Sequence, residues 1–101
     1  SDTNKLIEEL KSKDEVNDVS VRTQGKIIYI TITYEENVSK DKAKEIANNT
    51  YSYYSEDVVK CYDFEYFLTQ KPIVGDDGED RAFVIVGTKH PNNDYIGWTK
   101  N

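Results

Sequence analysis

"VNDVSVRTQGKIIYITITY", residues 16–34, decides how this chain folds. Val19 and Val21 alternate with Ser20 and Arg22, and Ile28, Ile30, Ile32 and Tyr34 alternate with Tyr29, Thr31 and Thr33. Branched and aromatic residues at period two turn one side of each run to a core and the other to water. "TQGK" interrupts the alternation, with Gly25 free to take positive φ. The stretch therefore reads as a hairpin of two strands, near 16–24 and 26–35.

A two-stranded ribbon buries too little apolar surface to stand alone, so the flanking segments must cover it. Upstream, "NKLIEELKSK" places Leu6, Ile7 and Leu10 on one stripe of a helix near 4–13. Thr3 or Asn4 would cap it, and Lys11 and Lys13 suit its C-terminal dipole. Downstream, Ser39 is a good N-cap with Asp41 in the first turn. Ala43, Ile46, Ala47, Thr50, Tyr51 and Tyr54 then recur at helical spacing, giving a helix near 39–54. A strand near 58–70 shows Val58, Tyr62, Phe64, Tyr66 and Leu68 on one face, against Cys61, Asp63 and Glu65. "RAFVIVGT" supplies an apolar strand near 80–88. The expected fold is α+β in two layers, ordered α-β-β-α-β-β. Its sheet has four largely antiparallel strands with two helices on one face, and residues 1–101 form a single domain.

Composition narrows the function classes. Apolar residues make up 37% of the 101 residues, enough for one modest core, and the formal net charge is -6. That sign disfavours nucleic acid, whose phosphates need a Lys/Arg surplus, and it disfavours an anionic membrane surface. It is too mild for an acidic inhibitor imitating nucleic acid. No apolar run approaches the ~18 residues of a membrane helix. Cys61 is the single cysteine, so no internal disulfide forms, and its apolar neighbours predict a small buried side chain. The chain opens on Ser1 and contains no Met, which suggests a trimmed chain, the mature part of an exported protein, with a lipid anchor upstream of Ser1 as part of that expectation.

Three groups of residues invite a chemical reading. In "IVGDDGEDRAF", residues 73–83, Asp76, Asp77, Glu79 and Asp80 surround Gly78, and clustered carboxylates attract hard cations. The EF-hand spacing fails there, because Ile73, Gly75 and Val84 occupy ligand positions, whereas Asp77-Gly78 is a preferred hairpin-turn dipeptide. A solvated turn and a weak calcium site both stay open. Asp63 and Glu65 share a strand face and could pair as acid and base, as any wet strand face also shows. His90 stands in a loop with no second histidine to make a zinc site or a triad. No phosphate-cradling glycine motif occurs, and no cofactor is expected. "NVS" at Asn37 and "NNT" at Asn48 match glycosylation acceptors by spacing alone.

Aromatic crowding is the most unusual feature. Tyr51, Tyr53, Tyr54, Tyr62, Phe64, Tyr66 and Phe67 lie within residues 51–67 and point to both sides of their elements. Tyr51, Tyr53, Tyr54, Tyr62 and Tyr66 are the candidate binding patch, since rigid amphipathic rings give contact area at low entropic cost. The other reading is a small core edged with tyrosine, hydroxyls in water.

Residues 6–59 also resemble the α-β-β-α-β pattern of BON-type domains and of similar small domains in bacterial envelope lipoproteins. The resemblance is carried by Leu6, Ile7 and Leu10; Val16, Val19 and Val21; Gly25; Ile28, Ile30 and Ile32; Ala43, Ile46 and Ala47; and Val58 and Val59. Thr31 or Thr33 stands where such domains carry a glycine, and none precedes Val58. The resemblance implies a non-catalytic domain that associates with envelope components, and no functional residue transfers. The leading expectation is thus a non-enzymatic, extracytoplasmic domain that binds a protein or itself. The competing class is a small carboxylate-dependent hydrolase or calcium-binding domain using residues 76–80.

The polar tail "KHPNNDYIGWTKN" keeps Tyr95, Ile96 and Trp98, and at period two Ile96 and Trp98 share a face. That pair would cover an open part of the sheet, removing up to ~200 Å² of the indole from water. Trp98→Ala should cost about 3 kcal/mol, measured by chemical denaturation. An unchanged midpoint would make Trp98 an exposed ligand-stacking residue.

Overall fold

The hairpin closes around Gly25 and Lys26, pairing Gln24 with Ile27 and running back to Val16 opposite Tyr34, with one bulge between Val16 and Asp18. In a computed structural model, which describes residues 1–100, these strands are β1 (Val16–Gln24) and β2 (Ile27–Tyr34). A helix α1 (Asp2–Lys11) precedes them. After β2 come α2 (Lys40–Ala47), a 3-10 turn (Thr50–Tyr53), α3 (Glu56–Cys61), β3 (Asp63–Gln70), β4 (Val84–Lys89) and β5 (Gly97–Lys100). The sheet runs β1-β2-β3-β4-β5 in chain order.

The class is α+β as the patterning requires, but three details differ from it. Among the described residues the sheet has five strands, not four, because the tail pairs Gly97 and Trp98 with Thr88 and Gly87 as a fifth strand. Among the described residues there are three α-helices, not two. And β2 pairs with β3 in parallel, Ile28 beside Phe64, Ile30 beside Tyr66 and Ile32 beside Leu68, so the sheet is mixed. Parallel neighbours need a long crossover, and residues 35–62 supply it with α2, the 3-10 turn and α3.

The third helix stands where alternation predicts the start of a strand at 58. Val58 and Val59 favour a strand, but the local signals there are those of a helix start. Ser55 accepts the Val58 N–H on its hydroxyl at 3.4 Å, Glu56 and Asp57 sit in the first turn, and Lys60 reaches back to Glu56 at 2.6 Å. Cys61 accordingly ends a helix and is exposed, not buried. The predicted 39–54 helix, in turn, stops at Ala47. Asn48 and Asn49 are weak helix formers, and the Thr50 hydroxyl donates to the Ala47 carbonyl at 2.8 Å in place of a backbone N–H. At the other end of the chain α1 starts earlier than predicted, capped by Ser1 at the Asn4 N–H, while Thr3 instead meets the Tyr54 hydroxyl at 2.7 Å.

One face of the sheet carries the core. Val19, Ile28, Ile30, Ile32, Phe64, Tyr66, Leu68 and Ile85 meet Leu6 and Leu10 of α1 and Ala43 and Ala47 of α2. The two alanines, both without exposure, let α2 approach closely. Ile96 is buried beside them, and Trp98 packs its ring edge-on against Tyr66 at 5.9 Å while its indole N–H donates to Asn48 at 3.1 Å. The indole lies against Gly87, where an added Cβ would come within 2.4 Å of the ring and 2.8 Å of Ile96. Gly87→Ala must therefore displace both side chains and should lower stability by about 1–3 kcal/mol, by overpacking. Gly97→Ala, whose Cβ meets nothing closer than 3.6 Å, should be near neutral. Paired chemical denaturation curves measure the difference, and equal midpoints would contradict this packing.

Candidate functional site

The tyrosines do not gather into one exposed patch. Tyr66 is 1% exposed, and its hydroxyl meets Thr50 at 2.7 Å. Because the Thr50 hydrogen is committed to Ala47, Tyr66 is the donor in that pair. Tyr51 and Tyr54 lean on Phe64 with ring centroids 6.2 and 5.4 Å away, and the Tyr51 hydroxyl donates to the Asp94 carbonyl. Tyr62 is half-buried under the Lys26 ammonium, 5.2 Å from its ring. Tyr53 alone is largely exposed, at 38%. It lines a shallow cleft of about 270 Å³ with Glu9, Lys13, Lys42 and Glu45 between α1 and α2. The crowding is mostly a tyrosine-edged core, and the 3-10 turn keeps Thr50 and Tyr51 facing inward although the helix has ended.

The four acids of the 76–80 turn do not converge either. Gly78 sits at φ 78, Val74 bridges Asp80, and Gly75 exchanges backbone bonds with Gly78 and Glu79, so the segment is a small hairpin tip. Asp77 is turned onto Arg81, bonded at 3.1 and 2.6 Å. Arg81 foremost, then the Glu79 N–H, holds the Asp77 carboxyl below the usual carboxylate range. Asp80 accepts the N–H groups of Ala82 and Ile73, both at 2.9 Å, which lower it in the same way. Among the described residues no three His, Cys, Asp or Glu side chains come together around a point that could hold a metal.

The other sequence candidates lie on the face of the sheet away from the helices. His90 Nδ1 is 2.9 Å from Asp63, at the margin of that face, and both Glu65 oxygens accept from Thr88 at 3.1 and 3.0 Å. Around them is the surface that patterning did not single out. All helices cover the opposite side, so this face is bare across the sheet. Its middle row runs Ser20, Thr31, Phe67 and Val86, and the next runs Asp18, Thr33, Thr69 and Val84. Phe67, on the central strand, is 43% exposed and Val84 is 44% exposed. They are diagonal neighbours across β3 and β4, with Val86 between them and Tyr29 and Ile27 toward the hairpin. The signal was the second alternating set, odd-numbered in β2 and β3 and even-numbered in β4, which supplies Ile27, Tyr29, Phe67, Val84 and Val86 and which a one-faced core does not use.

One buried ion was also missed. Lys89 has no solvent exposure, its ammonium donating to the Val59 carbonyl at 3.2 Å and lying 5.1 Å over the Tyr51 ring. Val59 O is one of the carbonyls that the C-terminus of α3 leaves without a backbone partner, so Lys89 caps that helix. Burial pushes its pKa down, against the opposing pull of Asp94 and Asp63.

No family of known proteins, no curated protein and no solved structure matches this chain. Among the described residues no helix is long and apolar enough to cross a membrane.

Buried phenols give the domain a pH signature. Burial, then the proximity of the other phenol, raises Tyr34 far above its ordinary 10.0. Burial likewise raises Tyr66, and the neighbouring phenols of Tyr51 and Tyr54 add to it. The folded state therefore keeps these protons above pH 10 while the unfolded chain releases them. Their contribution is fully present below pH 10 and is lost as pH rises beyond it. Lys89 has the opposite sign: its lowered value means that stability grows as pH climbs through that value toward 10.5. The loss above pH 10 thus belongs to the tyrosines. An alkaline titration followed by phenolate absorbance and circular dichroism should show Tyr34 and Tyr66 ionising last, together with unfolding. Their ionisation in a folded protein would contradict the burial.

Proposed function

We propose that this is a non-enzymatic domain that binds another polypeptide on the bare face of its sheet. The observation that carries the reading is Phe67, an exposed phenylalanine at the centre of a five-stranded sheet, continuous with Val84, Val86, Tyr29 and Ile27. Scattered apolar residues are ordinary on protein surfaces, but a contiguous apolar band on the central strands marks a site of contact. Asp63, Glu65 and His90 fit the polar rim of such an interface, since each already holds a neighbour at hydrogen-bond distance. The resemblance to envelope domains supports an extracytoplasmic setting for the same role, which fractionation of the native cells would check.

Replacing Phe67 by a photoreactive phenylalanine analogue tests the reading without altering the ring's place. Irradiation in cells should give a discrete adduct from position 67 and none from position 74, a still more exposed residue of the acidic hairpin. Phe67→Asp should abolish binding of the partner so identified while leaving stability within about 0.5 kcal/mol, as for other surface substitutions. Equal labelling from both positions, or none from 67, would overturn it.

A further inference from the structure

The edge of β1 is the second unguarded surface. Edge strands are ordinarily protected by brevity, proline, lysine or an inward-pointing charge. At the other edge, β5 is four residues long. β1 is nine residues long, Val16–Gln24, with no proline, lysine or glycine, and its only charges are Asp18 and Arg22. Its covered-face residues Val19 and Val21 belong to the core cluster or pack against it, and among the described residues no strand neighbours its outer edge.

The geometry points to a symmetric dimer in which β1 pairs antiparallel with β1 of a second copy, centred on Ser20. The backbone sets which registers are allowed. The two-residue turn closes on Gln24 opposite Ile27, and antiparallel alternation from that pair turns the N–H and C=O of Val19, Val21 and Thr23 away from β2. Two copies can bond only where outward residues face outward residues, which restricts a two-fold axis to a few positions. Centring on Ser20 puts Val19 opposite Val21 of the second copy, and Val21 opposite Val19. It also sets Asp18 directly across from Arg22, twice. Shifting the centre to Val19 leaves Asp18 facing Ser20, and shifting it to Val21 leaves Asp18 facing Gln24. Only the Ser20 register pairs the charges, and opposite charges directly across a strand pair stabilise it while like charges oppose it.

Asp18 and Arg22 are both on the bare face and both exposed, so neither must leave a buried site to pair. Asp18 has Lys11 at 3.5 Å, a pair with both partners more than half exposed, and Arg22 rests 4.4 Å over Tyr29 with Gln24 at 2.6 Å. The guanidinium has donors to spare for a carboxylate as well. On the other face, the valines of the two copies continue one core across the axis. The result is a ten-stranded sheet, and because the contact uses the strand's edge it stands whether or not the bare face has a partner.

Charge exchange tests this. The unaltered protein should sediment as a dimer in a concentration-dependent way. Arg22→Asp and Asp18→Arg should each be folded monomers by circular dichroism, because each sets like charges across the axis. Mixed together they should form a one-to-one heterodimer, and D18R/R22D in one chain should dimerise again. A monomeric parent protein, a dimer that R22D leaves intact, or single variants that stay monomeric when mixed would each overturn the proposal.

Discussion

The parallel pairing of β2 with β3 governs the rest of the molecule. Parallel neighbours cannot be joined by a tight turn, so the chain must leave the sheet at Tyr34, travel back along one face and re-enter at Asp63. Everything the crossover carries, from α2 to α3, therefore lands on one side. α1 joins it there, because the inward residues Ile28, Ile30, Ile32, Phe64, Tyr66 and Leu68 share that side. The core and the bare face are two results of one topological requirement.

A crossover built from short, broken helices ends often, and each end leaves carbonyls without partners. Two buried polar side chains stand where those ends fall, and a third serves the loop that leads from β2 into α2. Thr50 answers Ala47, Lys89 answers Val59, and the carboxamide of Gln70 faces the carbonyls of Glu35, Glu36 and Val38 while accepting the Phe83 N–H. Tyr34, without exposure at the end of β2, donates to Ala43 at 2.7 Å and ties α2 to the sheet. Among the described residues no buried side-chain nitrogen or oxygen lacks a partner. A more apolar core would have had to leave these groups dry, at a cost of about 1–3 kcal/mol apiece.

How much of this could be read in advance depended on the range of the deciding signal. The hairpin and the start of α2 at Ser39 rest on local chemistry, alternation and a cap, and the structure has both. The break after Ala47 was also local, in the asparagine pair, but helical spacing through Tyr54 concealed it because a 3-10 turn preserves the same inward face. Val58 and Val59 spoke for a strand and Ser55-Glu56-Asp57 for a helix, and the cap prevailed. The direction of β3 could be inferred only from the length of its connection. Most of the tyrosines read as a surface patch became core, because Phe64 and Tyr66 lie beneath the crossover. The exposed band around Phe67 was hidden by the same ambiguity, since an apolar strand does not reveal whether its second face is covered.

Lys89 makes the molecule carry its own reporter of opening. Its amine is sealed beneath Tyr51 and the end of α3, so a reagent that acylates free amines would reach it only when that corner of the fold lifts away. The remaining lysines compete for reagent at once, while this one waits for a fluctuation. The rate at which it is modified therefore measures how often α3 leaves the sheet, and under mild conditions that can be far more frequent than complete unfolding.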